Sequence, residues 1–289
     1  MKRSLFGSRD DWKIVLLIAG VGACSSAVAQ LLAIFSPEGT SFLIAETLGL
    51  RFYLAPTGAA VIVVALVSAE LFLVLRIAVP KARSSIVIVL VFAMLAGTTT
   101  LLVGRRLFLT YLPEAFATMS LLLALSVFAG FFLTFLTLIG AASNFAKNAT
   151  LTIFSITTGA LIASSFPTLP VLIILVVLIV VDFLMAYSRR IQAEDDLVQD
   201  VSMAAVTTHK WMIGVGDLTT YAILLAHSLV AEGIYLFLLM LVVVLFGVLL
   251  TMRWAARSEV PYVPGLLHTA GPAVLVLSVA WIMRFAISR

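Results

Sequence analysis

The sequence predicts an all-α, polytopic membrane protein with nine transmembrane helices, its N-terminus cytoplasmic and its C-terminus outside. Three observations carry the prediction. Of 289 residues, 63% are hydrophobic and only 11% charged, and the mean hydropathy is +1.20, which leaves too little polar surface to cover a water-soluble globule. Apolar runs of helical length recur from end to end, whereas an outer-membrane barrel would show alternating segments of about ten residues. The basic residues sit at the ends of those runs and not in one stripe, so the net charge of +4 speaks for membrane topology and against a nucleic-acid partner.

The polar start, Met1 to Trp12, leads into a first span at 13–35. It is long enough to cross and lacks a small-residue cleavage site, so it reads as a retained helix and not a signal peptide. Further spans follow at 53–79, 85–104, 116–141 and 149–166. The sixth, 171–187, is divided from the fifth only by Phe166-Pro167-Thr168-Leu169-Pro170, where two prolines favour a tight turn. A connection at 188–210 carries Glu194, Asp195, Asp196 and Asp200, a charge run that reads as a solvated cytoplasmic loop. The last spans are 211–230, 233–252 and 265–287. No repeat or second domain interrupts them, so 1–289 reads as one transmembrane domain: helices one to six at 13–187, the loop, and helices seven to nine at 211–287.

An odd number of spans puts the termini on opposite sides, and the positive-inside rule chooses between the two orientations. With the N-terminus in, the outside holds only Arg51, Arg105, Arg106, Arg284 and Arg289 of the 18 lysines and arginines.

Three acids fall inside the spans: Glu70, Asp182 and Asp217. An ionisable group within the bilayer is costly and is by default a functional candidate. Asp182 lies five residues before the cytoplasmic end of the sixth span at Tyr187, and Asp217 six residues after the cytoplasmic start of the seventh at Trp211. At roughly 1.5 Å of rise per residue, both carboxyls fall about 7 to 9 Å below the same boundary, on consecutive antiparallel helices. Two carboxyls brought together in low dielectric cannot both ionise cheaply, so one keeps its proton while the other is charged. That state suits an aspartyl protease, in which one member takes a proton from water and the other polarises a peptide carbonyl. The same acids would also serve separate polar contacts, or a proton or ion pathway. Glu70 reads as a partner for a polar group on another helix and receives no catalytic role.

Asp217 closes Gly214-Val215-Gly216-Asp217, whose two glycines allow a backbone to approach closely and the helix to loosen. An aspartate late in the sixth span, this Gly-x-Gly-Asp run opening the seventh, and Pro264-Gly265-Leu266 at the head of the ninth form a combination. It resembles the presenilin and signal peptide peptidase superfamily of intramembrane aspartyl proteases, and most closely archaeal presenilin homologues. The likeness covers the chain in helix number, with recognisable motifs over 171–287. Tyr187 with Arg189 and Arg190, and Asp217-Leu-Thr-Thr-Tyr221-Ala-Ile-Leu, are similar to the presenilin branch; the signal peptide peptidases are expected to have the opposite orientation.

Two departures stand out. Val181 takes the place of the tyrosine that usually precedes the helix-six aspartate, and Pro-Gly-Leu replaces Pro-Ala-Leu. The resemblance implies catalysis by Asp182 and Asp217, and substrate positioning by Pro264, Gly265 and Leu266. It implies lining of the active site at Val181 and Tyr187, and no cofactor or metal. It also implies single-span transmembrane substrates unwound and bound by strand addition after helix six and before Pro264, with Gly214, Gly216 and Gly265 leaving room for that backbone. Membrane lipids are the expected surroundings, in the cell membrane of a prokaryote and specifically an archaeon. Activity without accessory subunits and a homo-oligomer are both compatible with it.

Other chemistries fit less well. His209, His227 and His268 have no metal spacing, no His-Glu-x-x-His occurs, and no Gly-x-Ser-x-Gly element accompanies a histidine. Cys24, the only cysteine, excludes an intramolecular disulfide and reads as a packing residue. A proton- or cation-coupled secondary transporter is the main alternative, although the first half offers no counterpart to the Gly-x-Gly-Asp segment that matched broken helices would require. A prepilin-type peptidase shares Gly-x-Gly-Asp but has fewer helices.

Overall fold

In the computed structural model the described residues are 9–34, 143–191, 205–207, 211–257 and 265–287. They form six helices and one small hairpin: α1 (Arg9–Ile34), α2 (Asn144–Ser165), α3 (Thr168–Ile191), β1 (Ala205–Thr207), β2 (Met212–Gly214), α4 (Val215–Glu232), α5 (Ile234–Ala255) and α6 (Gly265–Ile287). Three of these helices contain segments long and apolar enough to cross a membrane: Asp11–Leu32, Ile234–Ala255 and Gly265–Arg284. The described part is thus that of an all-α membrane protein. The expected second, third and fourth spans, with Glu70, lie outside the described residues, as do Pro264 and His209.

The helices begin and end where backbone chemistry dictates. Ser143 caps α2, its Oγ accepting the Ala146 N–H at 3.3 Å, one of the donors a helix start leaves over. Phe166 is extended and ends α2, and α3 starts at Thr168, so the turn between the two is shorter than the expected Phe166–Pro170. Gly233, at φ +89, turns the chain from α4 into α5, a conformation that L side chains rarely adopt.

The centre of the bundle is α4. Leu218, Tyr221, Ile223, Leu224, Leu225 and Ala226 are all buried, so apolar residues point in every direction around the helix, as expected of one enclosed by others. It packs against α1, α2, α3, α5 and α6. Small residues permit close approach, as expected where helices meet in lipid. A Cβ added at Gly159 of α2 would collide with Ala222.

Polar groups inside are paired across helices. Ser25 Oγ of α1 donates to Ile156 O at 3.2 Å and lies 3.3 Å from Ala222 O. His227, buried on α4, sits between Ala163 O at 3.1 Å and Thr168 Oγ1 at 3.2 Å, which ties α4 to the α2–α3 turn. Arg284 of α6 donates to Ala231 O at 2.7 Å at that same end of the bundle. At the other end Trp211 Nε1 donates to Asp11 Oδ1 at 2.9 Å, so the hairpin, the start of α1 and the start of α4 lie together. Cys24 is exposed on α1 and not packed inside.

Candidate active site

The backbone changes form just before Asp217. The expected seventh helix from Trp211 is corrected: Met212–Gly214 is a strand, paired antiparallel with β1 in the register Ala205↔Gly214, Val206↔Ile213, Thr207↔Met212, and the helix starts at Val215. Gly214 is extended there (φ −60, ψ 142) and provides no side-chain cap. β1 likewise lies inside what reads as the 188–210 loop, and α3 runs past Tyr187 to Ile191. The expected depths are corrected with these boundaries: Asp217 is in the first turn of its helix, and Asp182 is followed by more than two further turns of α3.

The two aspartates nevertheless converge. Asp182 Oδ2 accepts the Leu266 N–H at 3.0 Å. A Cβ placed on Gly265, the residue before, would stand 2.9 Å from Asp217 Oδ2 and 3.4 Å from its Cγ. Both carboxyls therefore meet the first turn of α6, at the adjacent residues Gly265 and Leu266. A helix N-terminus suits this position, since its unpaired N–H groups and its dipole attract negative charge.

Of the other residues singled out by sequence, Leu266 is buried and contributes its N–H to Asp182. Val215 is buried and opens α4. Val181 and Tyr187 lie on α3, one residue before Asp182 and five after it. Gly216 departs from expectation in one respect: among the described residues, nothing stands within 4 Å of its Cβ position, so no neighbouring helix uses the space. At Gly214, among the described residues, the atoms that close are those of Asp217, at 3.8 and 3.9 Å.

A polar chain beneath the acids was not read from sequence. Thr269 Oγ1 donates to Gly265 O at 2.7 Å. Its single hydrogen is thereby spent, so the 3.0 Å contact with Tyr221 has the Tyr221 hydroxyl as donor. Tyr221 is one turn below Asp217 on α4, and Thr269 one turn below Gly265 on α6. The pair fixes the register of Asp217 against Gly265. The signal available in the sequence was the four-residue spacing that repeats in both helices.

A second group holds the hairpin to α2. Asn148 Nδ2 donates to Thr207 O at 2.7 Å, and Thr207 N–H donates to Asn148 Oδ1 at 2.9 Å. Seven residues further along α2, buried Ser155 brings its Oγ to 3.4 Å from Val215 O and 3.3 Å from Thr219 Oγ1.

No protein-family model matches the sequence, and no curated protein matches it.

Proposed function

We propose that this chain is an intramembrane aspartyl endopeptidase of the presenilin and signal peptide peptidase type, hydrolysing peptide bonds within transmembrane segments. The observation that carries the reading is the convergence of Asp182 and Asp217, 35 positions apart in the sequence, on the adjacent residues Gly265 and Leu266. An arrangement of two carboxyls that share one helix terminus in a bundle of apolar helices supports acid–base work on a bound amide.

In this reading the chain crosses the membrane nine times, with the N-terminus cytoplasmic and the C-terminus outside, in the cell membrane of an archaeon. The dyad holds one proton. The ionised carboxylate takes a proton from water as the water oxygen bonds to the scissile carbonyl carbon, and the protonated partner gives its proton to the carbonyl oxygen. Collapse of the tetrahedral intermediate breaks the C–N bond: the carboxyl that took the water's proton passes it to the departing amine, and a hydroxyl of the intermediate returns its proton to the other carboxylate, which restores the singly protonated dyad. Leu266 N–H orients Asp182 throughout. No metal or cofactor takes part.

The substrate is a single-span membrane protein whose helix is opened locally, because helical carbonyls are already bonded and shielded. Its extended segment gains hydrogen bonds by joining the β1–β2 hairpin as a further strand, which leads it past Gly214 and Gly216 to Asp217. The space beside Gly216 supports this path.

A peptide isostere carrying a hydroxyl in place of the scissile amide tests the reading. Purified protein is expected to bind it, and substitution of Asp182 or Asp217 by alanine to weaken binding by at least 100-fold, the lower limit for a transition-state mimic. Equal binding by all three proteins contradicts the dyad. Proton-coupled uptake lost in the same variants would favour the transporter.

A further inference from the structure

We propose that Asn148 is a positioning residue that sets where, and in which register, the extended substrate joins the hairpin. The inference rests on the protease reading above and deepens it by assigning cleavage-position control to one side chain.

The geometry is that of a strand partner supplied by a side chain. A carboxamide carries one carbonyl and an N–H pair, the same donor and acceptor types as a peptide group. Asn148 uses both ends on one residue, accepting from Thr207 N–H at 2.9 Å and donating to Thr207 O at 2.7 Å. Thr207 therefore directs its main-chain groups away from β2. In an antiparallel ladder, opposed residues alternate between hydrogen-bonded and non-hydrogen-bonded pairs. Thr207↔Met212 and Ala205↔Gly214 are then non-hydrogen-bonded pairs, with Val206↔Ile213 the bonded pair between them.

Two consequences follow for β2. The alternation turns Met212 N–H and C=O, and Gly214 N–H, toward the edge of the hairpin opposite Asn148. The outer edge of β1, a surface on which an added strand could otherwise pair, is taken up by α2 at Thr207. A substrate strand consequently has β2 as its template, the strand that runs directly into Asp217.

Asn148 also fixes the height of that template. It sits seven residues, two helical turns, before Ser155, whose Oγ lies 3.4 Å from Val215 O. One face of α2 thus holds both β1 and the first residue of α4, so the hairpin cannot slide along the bundle without breaking contacts at both places. Because side chains alternate with a period of two, a one-residue slip would turn every substrate side chain to the other face, and a two-residue slip is the nearest alternative that preserves the facing.

The test uses the full chain reconstituted in vesicles with a single-span substrate, comparing wild type, Asn148→Asp and Asn148→Leu. Mass spectrometry gives the cleavage positions, and initial rates give KM and kcat. Asn148→Asp keeps the acceptor for Thr207 N–H and loses the donor to Thr207 O; Asn148→Leu loses both. New products displaced by two residues are expected, few with aspartate and abundant with leucine. KM is expected to rise, reaching roughly 10-fold for leucine, with kcat changed less. Should Asn148→Leu fail to fold, the nearly isosteric Asn148→Asp decides alone.

Unchanged cleavage positions in the folded variants overturn the proposal, whether kcat is retained or falls, since a loss of rate alone is what a purely structural asparagine would give. Wild-type protein that is folded yet cleaves nothing overturns the protease reading and this inference with it. Active wild type with indistinguishable variants overturns the inference only.

Discussion

Asp217 Oδ2 lies 2.9 Å from the point at which a Cβ on Gly265 would stand, so the absence of a side chain at Gly265 is what lets the carboxyl reach the first turn of α6. The atom displaced by a methyl group is the far end of a side chain, which can swing aside. Gly265→Ala, which gives the Pro-Ala-Leu usual in the resembled family, is therefore expected to fold normally and to stay within roughly 10-fold of the wild-type rate, whereas the branched Gly265→Val should lose roughly 100-fold or more through misplacement of Asp217. Initial-rate measurements on the two variants, with unfolding followed in parallel, check this. Full activity in Gly265→Val would show that Asp217 does not work at this position.

The Tyr221–Thr269 contact makes a separate expectation. Hydrogen bonds between membrane helices contribute modestly, about 0.6 kcal/mol on average and at most about 1.7. A double-mutant cycle of Tyr221→Phe and Thr269→Val on unfolding in detergent should give a coupling within that range, and Thr269→Ser should restore most of it. Purely additive effects would mean that the two hydroxyls do not share a bond.

Gly247 of α5 tests the packing that brings α6 into place. Its Cβ position is 2.6 Å from His268 O and 2.7 Å from Thr269 Cα, both on the backbone of α6, which cannot step aside as a side-chain tip can. Gly247→Ala is expected to destabilise the bundle by about 1–3 kcal/mol, the usual cost of overpacking. A thermal unfolding curve identical to wild type would contradict the close α5–α6 contact.

These residues differ in how far the sequence revealed them. The start of α6 at Gly265 was legible, because a proline precedes a long apolar run. Asp182 and Asp217 were legible because charge inside such runs is rare. Their convergence did not need the depths assigned from Tyr187 and Trp211, both of which misjudge a helix end: α3 continues through Arg189 and Arg190 to Ile191, and α4 begins only at Val215.

The hairpin was hidden for a physical reason. Met212-Ile213-Gly214 is apolar and adjoins an apolar helix, and a run this short has no period by which strand and helix can be told apart. Its partner, Ala205-Val206-Thr207, sits beyond four acids that mark the segment as a loop. Asn148 left no local sign, since its partner Thr207 is 59 residues away and only the tertiary fold brings the two together. Tyr221 stands out in the sequence through resemblance alone, and Thr269 carries no mark, because a threonine in an apolar helix commonly satisfies itself on the carbonyl four residues earlier.

The most direct measurement is cleavage of a reconstituted single-span substrate by wild type, Asp182→Asn and Asp217→Asn, each shown to be folded. Asparagine preserves shape and removes the acid, so the wild type is expected to produce two defined fragments and each variant to produce none above background. Fragments formed equally by either variant, or no fragments from folded wild type with any of several substrates, would contradict the dyad.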